Sequence, residues 1–148
     1  MAISKIQNES INRSDLTGSV LQTVSMTVAT EVSSTSASYV TTNVTKAITP
    51  SSTSSKILVS VHCSIYNSGS GLGSCALYRG STNLTDNTYG LGYCNNSLPH
   101  CLSTSYLDSP NTTSAVTYAL YFKTHNSGTV YACISNSQSF ITLQEIAG

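Results

Sequence analysis

Apolar side chains fall at every second position along most of this chain, and this alternation limits the folds that it can adopt. Successive side chains of a β-strand point to opposite faces of a sheet, so the pattern predicts strands with one buried face. The pattern is most regular over Lys56–Tyr66, where alternate residues are Ile57, Val59, Val61, Cys63 and Ile65. The same alternation predicts strands over Tyr39–Ile48, Ser74–Arg79, Thr82–Asp86, Cys101–Asp108, Ser114–His125, Gly128–Ile134 and Ser139–Ala147.

Turn-forming residues separate these segments. Gly80-Ser81 suits a type II′ hairpin turn, and Asp108-Ser109-Pro110-Asn111 marks the turn before the last three strands. Ser19–Val32 is one long strand or two strands joined by a bend. The total is eight or nine strands, without a helix of normal length. We therefore expect an all-β fold, an antiparallel β-sandwich of jelly-roll type, over residues 19–148.

Residues 1–18 differ from the rest because neither a helical nor a strand period is sustained there. Such ends are commonly unstructured, and the alternative is an arm that docks on another subunit. We expect an extended N-terminal arm. Its apolar residues are the candidate anchors: Ile3, Ile6, Ile11 and Leu16.

The composition is unusually poor in charge. Charged residues make up 8% of the chain and the formal net charge is zero, whereas about 25% is usual in globular proteins. Nucleic-acid binding is not expected, because neutralising phosphates requires several Lys or Arg side chains on one surface. A neutral surface gives little repulsion between copies, which favours a place in an assembly.

The N-terminal residues carry Lys5, Glu9, Arg13 and Asp15 and have no continuous apolar run, so they do not resemble a signal peptide. No segment is apolar over the length of a membrane span, and membrane insertion is not expected. We therefore expect a protein made in a cytoplasm.

The five cysteines have irregular spacings. In a chain made in a reducing compartment, free and mostly buried thiols are expected. Cys94 and Cys101 flank a loop and could pair in an oxidising location. His100 lies beside Cys101, but the spacing matches no standard zinc ligand set, so no metal and no cofactor is expected.

The ionisable residues do not form a catalytic pattern. With so many serines, a chance Ser–His pair carries little meaning, and no G-x-S-x-G motif occurs. The acidic residues are spread singly along the chain, which favours neither a triad nor a glycosidase pair. We expect a protein that is not an enzyme.

The least regular segment, Asn87–Pro99, contains the best candidates for contact with a ligand. Tyrosine and asparagine in loops are residue types that bind sugars and protein surfaces. In the alternative interpretation, the tyrosine rings cover one end of the sandwich. The candidate contact residues are Tyr89, Tyr93, Asn95 and Asn96.

Several segments together resemble the β-sandwich domain of virion structural proteins from tailed bacteriophages, of the tail-fibre or virion-surface type. The segments are ITPSSTSSKILVSVH (Ile48–His62), ALYRGSTNL (Ala76–Leu84), YLDSPNTTSAVTYALYFK (Tyr106–Lys123) and SGTVY with FITLQEIA (Ser127–Ala147). The resemblance covers most of the chain from Gly18 onward. It does not extend to the cysteines or to Asn87–Pro99.

The resemblance implies a homotrimer similar to the jelly rolls of the tumour-necrosis-factor and C1q type. It also implies a virion protein that leaves the host cytoplasm by lysis, attached through residues 1–18 to other virion proteins of the tail or the capsid. The fibre-type interpretation adds contact with a host cell-surface glycan or protein. A capsid decoration or cement protein that clamps neighbouring capsid subunits is the alternative.

Overall fold

The fold is all-β, as the alternation predicts. A computed structural model describes residues 16–95 and 98–148, and in this part of the chain it contains eleven strands and one 3-10 turn, Ile134–Asn136. Four of the strands have only two or three residues, and two of these lie within the predicted segments Thr82–Asp86 and Gly128–Ile134. The strands are β1 (Val20–Val28), β2 (Val32–Ser34), β3 (Val40–Ile48), β4 (Lys56–Asn67), β5 (Gly73–Arg79), β6 (Thr82–Asn83), β7 (Gly92–Cys94), β8 (His100–Asp108), β9 (Val116–Thr124), β10 (Val130–Ala132) and β11 (Ser139–Ile146).

The strands form two antiparallel sheets that pack face to face. In the first sheet β11 lies between β1 and β4, and β8 pairs with the other edge of β4. The short strands β2 and β10 continue the rows of β1 and β11. In the second sheet the order is β3, β9, β5, with β6 and β7 both on the far edge of β5. Each sheet is therefore four rows wide, in the order of a jelly roll.

The first sheet bends where β1 gives way to β2 and, in the neighbouring row, β10 gives way to β11. Ser19–Val32 forms two strands, β1 and the start of β2, which is the second of the two predicted alternatives. In the adjacent row Cys133 and Ser135 have left-handed backbones, with φ of 58° and 52°. Glu31, in the first bend, accepts a hydrogen bond at 2.9 Å from the N–H of Ser135. The Glu31 carboxylate thus links the break between β1 and β2 to the break between β10 and β11.

The core consists of the predicted alternating residues. All five inward residues of β4 are at most 4% exposed, and Tyr118, Leu120 and Phe122 of β9 are at most 1% exposed. Val20 is an exception to the parity of β1 and is exposed. The register of β1 against β11 shifts between Val20 and Gln22, so the side chains before this bulge change face.

A charged network joins the two sheets at one end of the core. Asp108, the last residue of β8, accepts two hydrogen bonds from Nη1 of Arg79, at 2.9 and 2.7 Å. The hydroxyl of Tyr118 donates to the same carboxylate at 2.6 Å. Burial, followed by the neighbouring carboxylate, raises the pKa of Tyr118 well above its usual value. Arg79 is partly exposed, whereas Asp108 and Tyr118 are buried, so the guanidinium covers the network on its solvent side.

A second buried carboxylate fixes the start of β1 and the loop before β4. Glu145 is fully buried and accepts hydrogen bonds from Gln22 Nε2 at 2.6 Å and from the N–H and hydroxyl of Ser51 at 2.7 and 2.6 Å. Burial acts to raise the pKa of Glu145, but the hydrogen bonds from Ser51 and Gln22 outweigh it and lower the pKa. Close by, Gly18 and Ser19 exchange backbone hydrogen bonds with Ala147.

All five cysteines are free, and Cys101 is the exposed one among them. Cys63 is hydrogen-bonded to Cys133, which acts to lower its pKa, but the hydrogen bond with Cys75 and burial raise that pKa to about 12. Cys94 lies at the end of β7 in the core, and Cys101 lies on the outer side of β8. The structure therefore contains neither the alternative Cys94–Cys101 pair nor any other disulfide.

Candidate functional site

Five tyrosines form a connected surface over the outer face of the second sheet, and we call this set the tyrosine patch. Tyr78 on β5 stacks on Tyr121 of β9, with ring centroids 4.1 Å apart, because the two are diagonal neighbours in the β5–β9 pairing. Tyr39, just before β3, meets Tyr78 edge-on at 6.0 Å. Tyr89 and Tyr93 pack against each other at 5.2 Å above one end of the same face.

The loop that carries Tyr89 is held rigidly against β5. The carboxylate of Asp86 accepts hydrogen bonds from the N–H groups of Thr88 and Tyr89, so the loop begins with an Asx turn. The N–H of Leu91 donates to the carbonyl of Cys75 at 2.7 Å. Gly90 has φ +62°, and a Cβ atom there would lie 2.2 Å from the Cys75 carbonyl oxygen, so this position requires glycine.

Tyr93 lies on a strand that sequence reasoning missed. Asn87–Pro99 is predicted to be irregular, yet β7 pairs with β5 and places Tyr93 opposite Ser74. The strand has three residues and begins at Gly92, whose φ is +153°, so no alternation could indicate it. Because β7 and the Asx turn support the two rings, Tyr89 and Tyr93 remain 41% and 48% exposed on an ordered loop.

Polar groups connect the two halves of the patch. His125 packs against the ring of Tyr89 at 5.1 Å, and its Nε2 is 2.9 Å from the hydroxyl of Ser74. That hydroxyl is also 3.1 Å from the hydroxyl of Tyr39. Lys123 places Nζ 4.5 Å from the centre of the Tyr39 ring and donates to the carbonyl of Asn87 at 2.9 Å. The patch therefore presents aromatic faces and fixed hydrogen-bonding groups side by side.

The patch is almost neutral near pH 7. Burial, followed by the positive charge of Lys123, lowers the pKa of His125, so the imidazole is uncharged at neutral pH. Burial raises the pKa values of Tyr39 and Tyr78, so their hydroxyls stay protonated. The hydrogen bond from the Thr88 N–H lowers the pKa of Asp86, whose charge lies in the same surface as that of Lys123. Such a surface suits a neutral ligand rather than a strongly charged one.

The structure brings together two of the four predicted contact residues. Tyr89 and Tyr93 form a pair, whereas Asn95 follows β7, is half-buried, and accepts the N–H of Leu98 at its carbonyl. Asn96 lies outside the described residues. Of the candidate anchors, Leu16 is exposed at the start of the described chain. The other three, Ile3, Ile6 and Ile11, lie outside the described residues.

Three members of the patch, Tyr39, Tyr78 and Tyr121, were not predicted as site residues. Tyr78 and Tyr121 occupy positions of opposite parity to the core residues Leu77 and Leu120, and this outward parity was the available indication. Their stacking depends on the pairing of β5 with β9, which are separated by about 40 residues of chain, and local patterns do not reveal such pairings.

Two of the three histidines, His62 and His125, form Ser–His pairs. His62 Nδ1 lies 2.6 Å from the Ser103 hydroxyl and its ring stacks on Phe140, while His125 pairs with Ser74. Within residues 16–95 and 98–148, no carboxylate is hydrogen-bonded to either ring, and no group of three or more His, Cys, Asp or Glu could hold a metal ion. No helix in the described ranges is long and apolar enough to cross a membrane.

Comparison with known proteins gives matches among solved structures alone. No protein-family model and no curated protein matches this chain. A chain from the T13 IBDV viral particle matches with a TM-score of 0.49 and 11% identity, over 87% of this chain and 37% of that chain. A chain from the Gx strain of infectious bursal disease virus matches with a TM-score of 0.44 and 10% identity, over 87% and 37%.

A chain from the T=1 particles derived from the same virus has a TM-score of 0.44 and 12% identity, again over 87% and 37%. This chain thus spans less than two fifths of each of these three viral chains. Identities near 10% and TM-scores below 0.5 are too low to assign a function.

Proposed function

We propose that this chain is a non-enzymatic structural protein of a virus particle, displayed on the particle surface and in contact with the host through the tyrosine patch. The observation that carries the proposal is the exposed Tyr89–Tyr93 pair, held on an ordered loop beside fixed polar groups. Exposed, rigid tyrosines supply large contact areas at low entropic cost, and they are enriched at binding hot spots. The ligand class that fits this neutral surface is a host glycan or an uncharged protein surface.

Two further features support a place in a particle. By analogy of fold, the strand order supports the proposal, because it is that of a jelly roll, an architecture that viral capsid and lectin domains use. The segments that resemble tailed-bacteriophage virion proteins also contain residues of both buried hydrogen-bond networks. They contain Ser51 and Glu145 of one buried network and Arg79, Asp108 and Tyr118 of the other.

The proposal includes three parts that the resemblance implies: a homotrimer, attachment through residues 1–18, and a fibre-type role on a tailed bacteriophage. Sedimentation tests the trimer, which would have about three times the 15.6 kDa mass of the chain. Deleting residues 1–15 tests the attachment, because this deletion leaves the pairing of Gly18 with Ala147 intact. A folded protein that no longer joins particles is the expected result, and normal incorporation would contradict the anchoring role.

The second candidate is a capsid decoration or cement protein, and the outer face of the first sheet favours it. That face is covered mainly by serine and threonine and exposes Phe140 and Leu107. The face carries little charge, with Lys56 at one end of β4, and such a face with exposed apolar side chains suits a permanent contact with neighbouring capsid subunits. In this case the tyrosine patch would not touch the host.

The double variant Tyr89→Ala/Tyr93→Ala distinguishes the two candidates. Particles that carry it should adsorb to host cells at least about tenfold less well, since hot-spot tyrosines typically contribute this much or more. Tyr66→Ala/Tyr131→Ala is the matched control, because these rings also pack together, at 5.8 Å, on the first sheet. Adsorption should be unchanged in the control. Unchanged adsorption in the Tyr89/Tyr93 variant would contradict the fibre-type role and favour the cement role.

A further inference from the structure

Along its free edge β8 has few of the features that normally keep an edge strand from pairing, and the inward-pointing charge of its last residue, Asp108, is the exception. β8 has nine residues and pairs with β4 without a register shift from His100 to Asp108. Alternate residues of a strand point their N–H and C=O groups away from the paired neighbour, so β8 presents a row of unpaired groups on its other side. Edge strands are usually protected by lysine, proline, a bulge or a covering element. Inside β8 there is no proline and no lysine.

The opposite end of the sandwich is different. There β1 and β3, the edge strands of the two sheets, lie beside each other, and Gln22 Nε2 donates to the carbonyl of Thr49 at 2.7 Å. β3 also has a register irregularity between Thr41 and Thr45 and carries Lys46. Across from β8, by contrast, the edge of the second sheet consists of β6 and β7, with two and three residues. Within residues 16–95 and 98–148, β8 is therefore a long and regular edge strand that no other described strand covers.

The sequence of β8 is complementary to itself when two copies run antiparallel and are centred on Thr104. This register overlaps all nine residues, and it also keeps the inner faces of the two sheets on the same side. Apolar residues then face apolar or aromatic ones, and hydroxyls face hydroxyls. The facing pairs are Cys101 with Leu107, Leu102 with Tyr106, Ser103 with Ser105, and His100 with Asp108.

The charges are compatible with such a pair. Asp108 is the one acidic side chain of β8, and in the centred register it faces His100 of the second copy rather than another acid. Like charges directly opposite each other destabilise a strand pair, and no such contact arises here. Among the described strands only β4 is hydrogen-bonded to β8, and on the outer face Cys101, Ser103, Ser105 and Leu107 are exposed.

We propose that β8 is an interface between two copies of this chain, which pair antiparallel, edge to edge, and join their first sheets into one continuous sheet. The contact is isologous, with a two-fold axis through Thr104. It does not depend on the tyrosine patch or on the function proposed above. In a three-fold assembly it would link chains of neighbouring trimers, since a three-fold ring cannot contain a two-fold contact.

Hydrogen exchange of the unmodified protein at two concentrations tests the contact without any substitution. At high concentration all β8 amides should be protected. On dilution, the β8 amides directed away from β4, which are every second amide of the strand, should exchange faster. The exchange rates of the β8 amides directed to β4 and of the β3 amides should not change. Exchange of β8 that is independent of concentration, in a protein that sediments as a monomer or as an odd-numbered assembly, would overturn the proposal.

Charge substitutions test the register. Ser103→Lys/Ser105→Lys places lysines opposite lysines at two symmetric points and should raise the dissociation constant of the pair at least about tenfold. Ser103→Lys/Ser105→Glu places each lysine opposite a glutamate and should restore association. Asn43→Lys/Ala47→Lys, at exposed positions of β3, is the matched control and should leave association unchanged. Equal association of the two β8 variants would overturn the proposed register and with it the interface.

Discussion

The Arg79–Asp108–Tyr118 network offers a quantitative test of how the two sheets are held together. Arg79→Met keeps most of the side-chain volume but removes both hydrogen bonds from Nη1 to the Asp108 carboxylate. Asp108 is 7% exposed, so the carboxylate is left with the Tyr118 hydroxyl as its remaining partner in the network. Removing one partner of a buried ion pair costs about 3–5 kcal/mol, because an uncompensated charge stays buried.

The expected cost is at the lower end of that range. The Arg79 side chain is 28% exposed, and water that enters the vacated space can solvate part of the carboxylate. We therefore expect the free energy of unfolding to fall by about 3 kcal/mol in Arg79→Met. Tyr118→Phe removes one hydrogen bond to a charged acceptor and should cost about 1.5 kcal/mol, since Asp108 keeps Arg79.

Urea denaturation at pH 7, followed by circular dichroism, measures these values. The informative control is the double variant Arg79→Met/Asp108→Asn, in which no charge is left unpaired. It should be more stable than Arg79→Met alone, because removing both members of an ion pair is less costly than removing one. A loss below about 1 kcal/mol in Arg79→Met, or a double variant less stable than the single one, would refute this explanation of the network.

Three further predictions concern other parts of the fold. Glu145 has a lowered pKa, so its stabilisation is present above the pKa of an unfolded glutamate and is lost as pH falls through the folded value. Acid unfolding of Glu145→Gln should lack this component, and an identical pH profile would contradict it. In a thiol-labelling assay of the native protein Cys101 should react rapidly, with the buried cysteines reacting only after unfolding; rapid labelling of Cys63 would contradict its raised pKa and burial. Gly90→Ala should lower the free energy of unfolding by about 1–3 kcal/mol, because of its positive φ and the contact with the Cys75 carbonyl. A neutral effect on the thermal midpoint would show that the loop is not held as described.

The alternation of apolar residues was sufficient to predict the fold class and the inner face of the long strands. β4 is the clearest example, because its inward residues are buried and its strand bounds differ by one residue from the prediction. The prediction was weaker where regularity ends. The bulge after Val20 reverses its side chain, and β7 is too short and begins at a glycine.

The candidate site was predicted only in part, for a reason that lies in long-range pairing. Tyr89 and Tyr93 could be singled out because they lie in a loop rich in glycine and asparagine. Their neighbours could not, since His125 reaches Tyr89 only through the pairing of β5 with β9. The resemblance to virion proteins could not help here either. Its segments cover the buried networks, which are the frame of the domain, and leave out the loop that carries the two exposed tyrosines.

Location on the particle is the most direct test of the proposed function. Purified, intact particles can be labelled with gold-conjugated antibodies raised against residues 16–148 and inspected by electron microscopy. The proposal predicts label on the outside of the particle, at the tail for a fibre-type protein and over the head for a cement protein. Absence of label from intact particles, with normal recognition of the isolated folded chain, would contradict a surface-displayed virion protein.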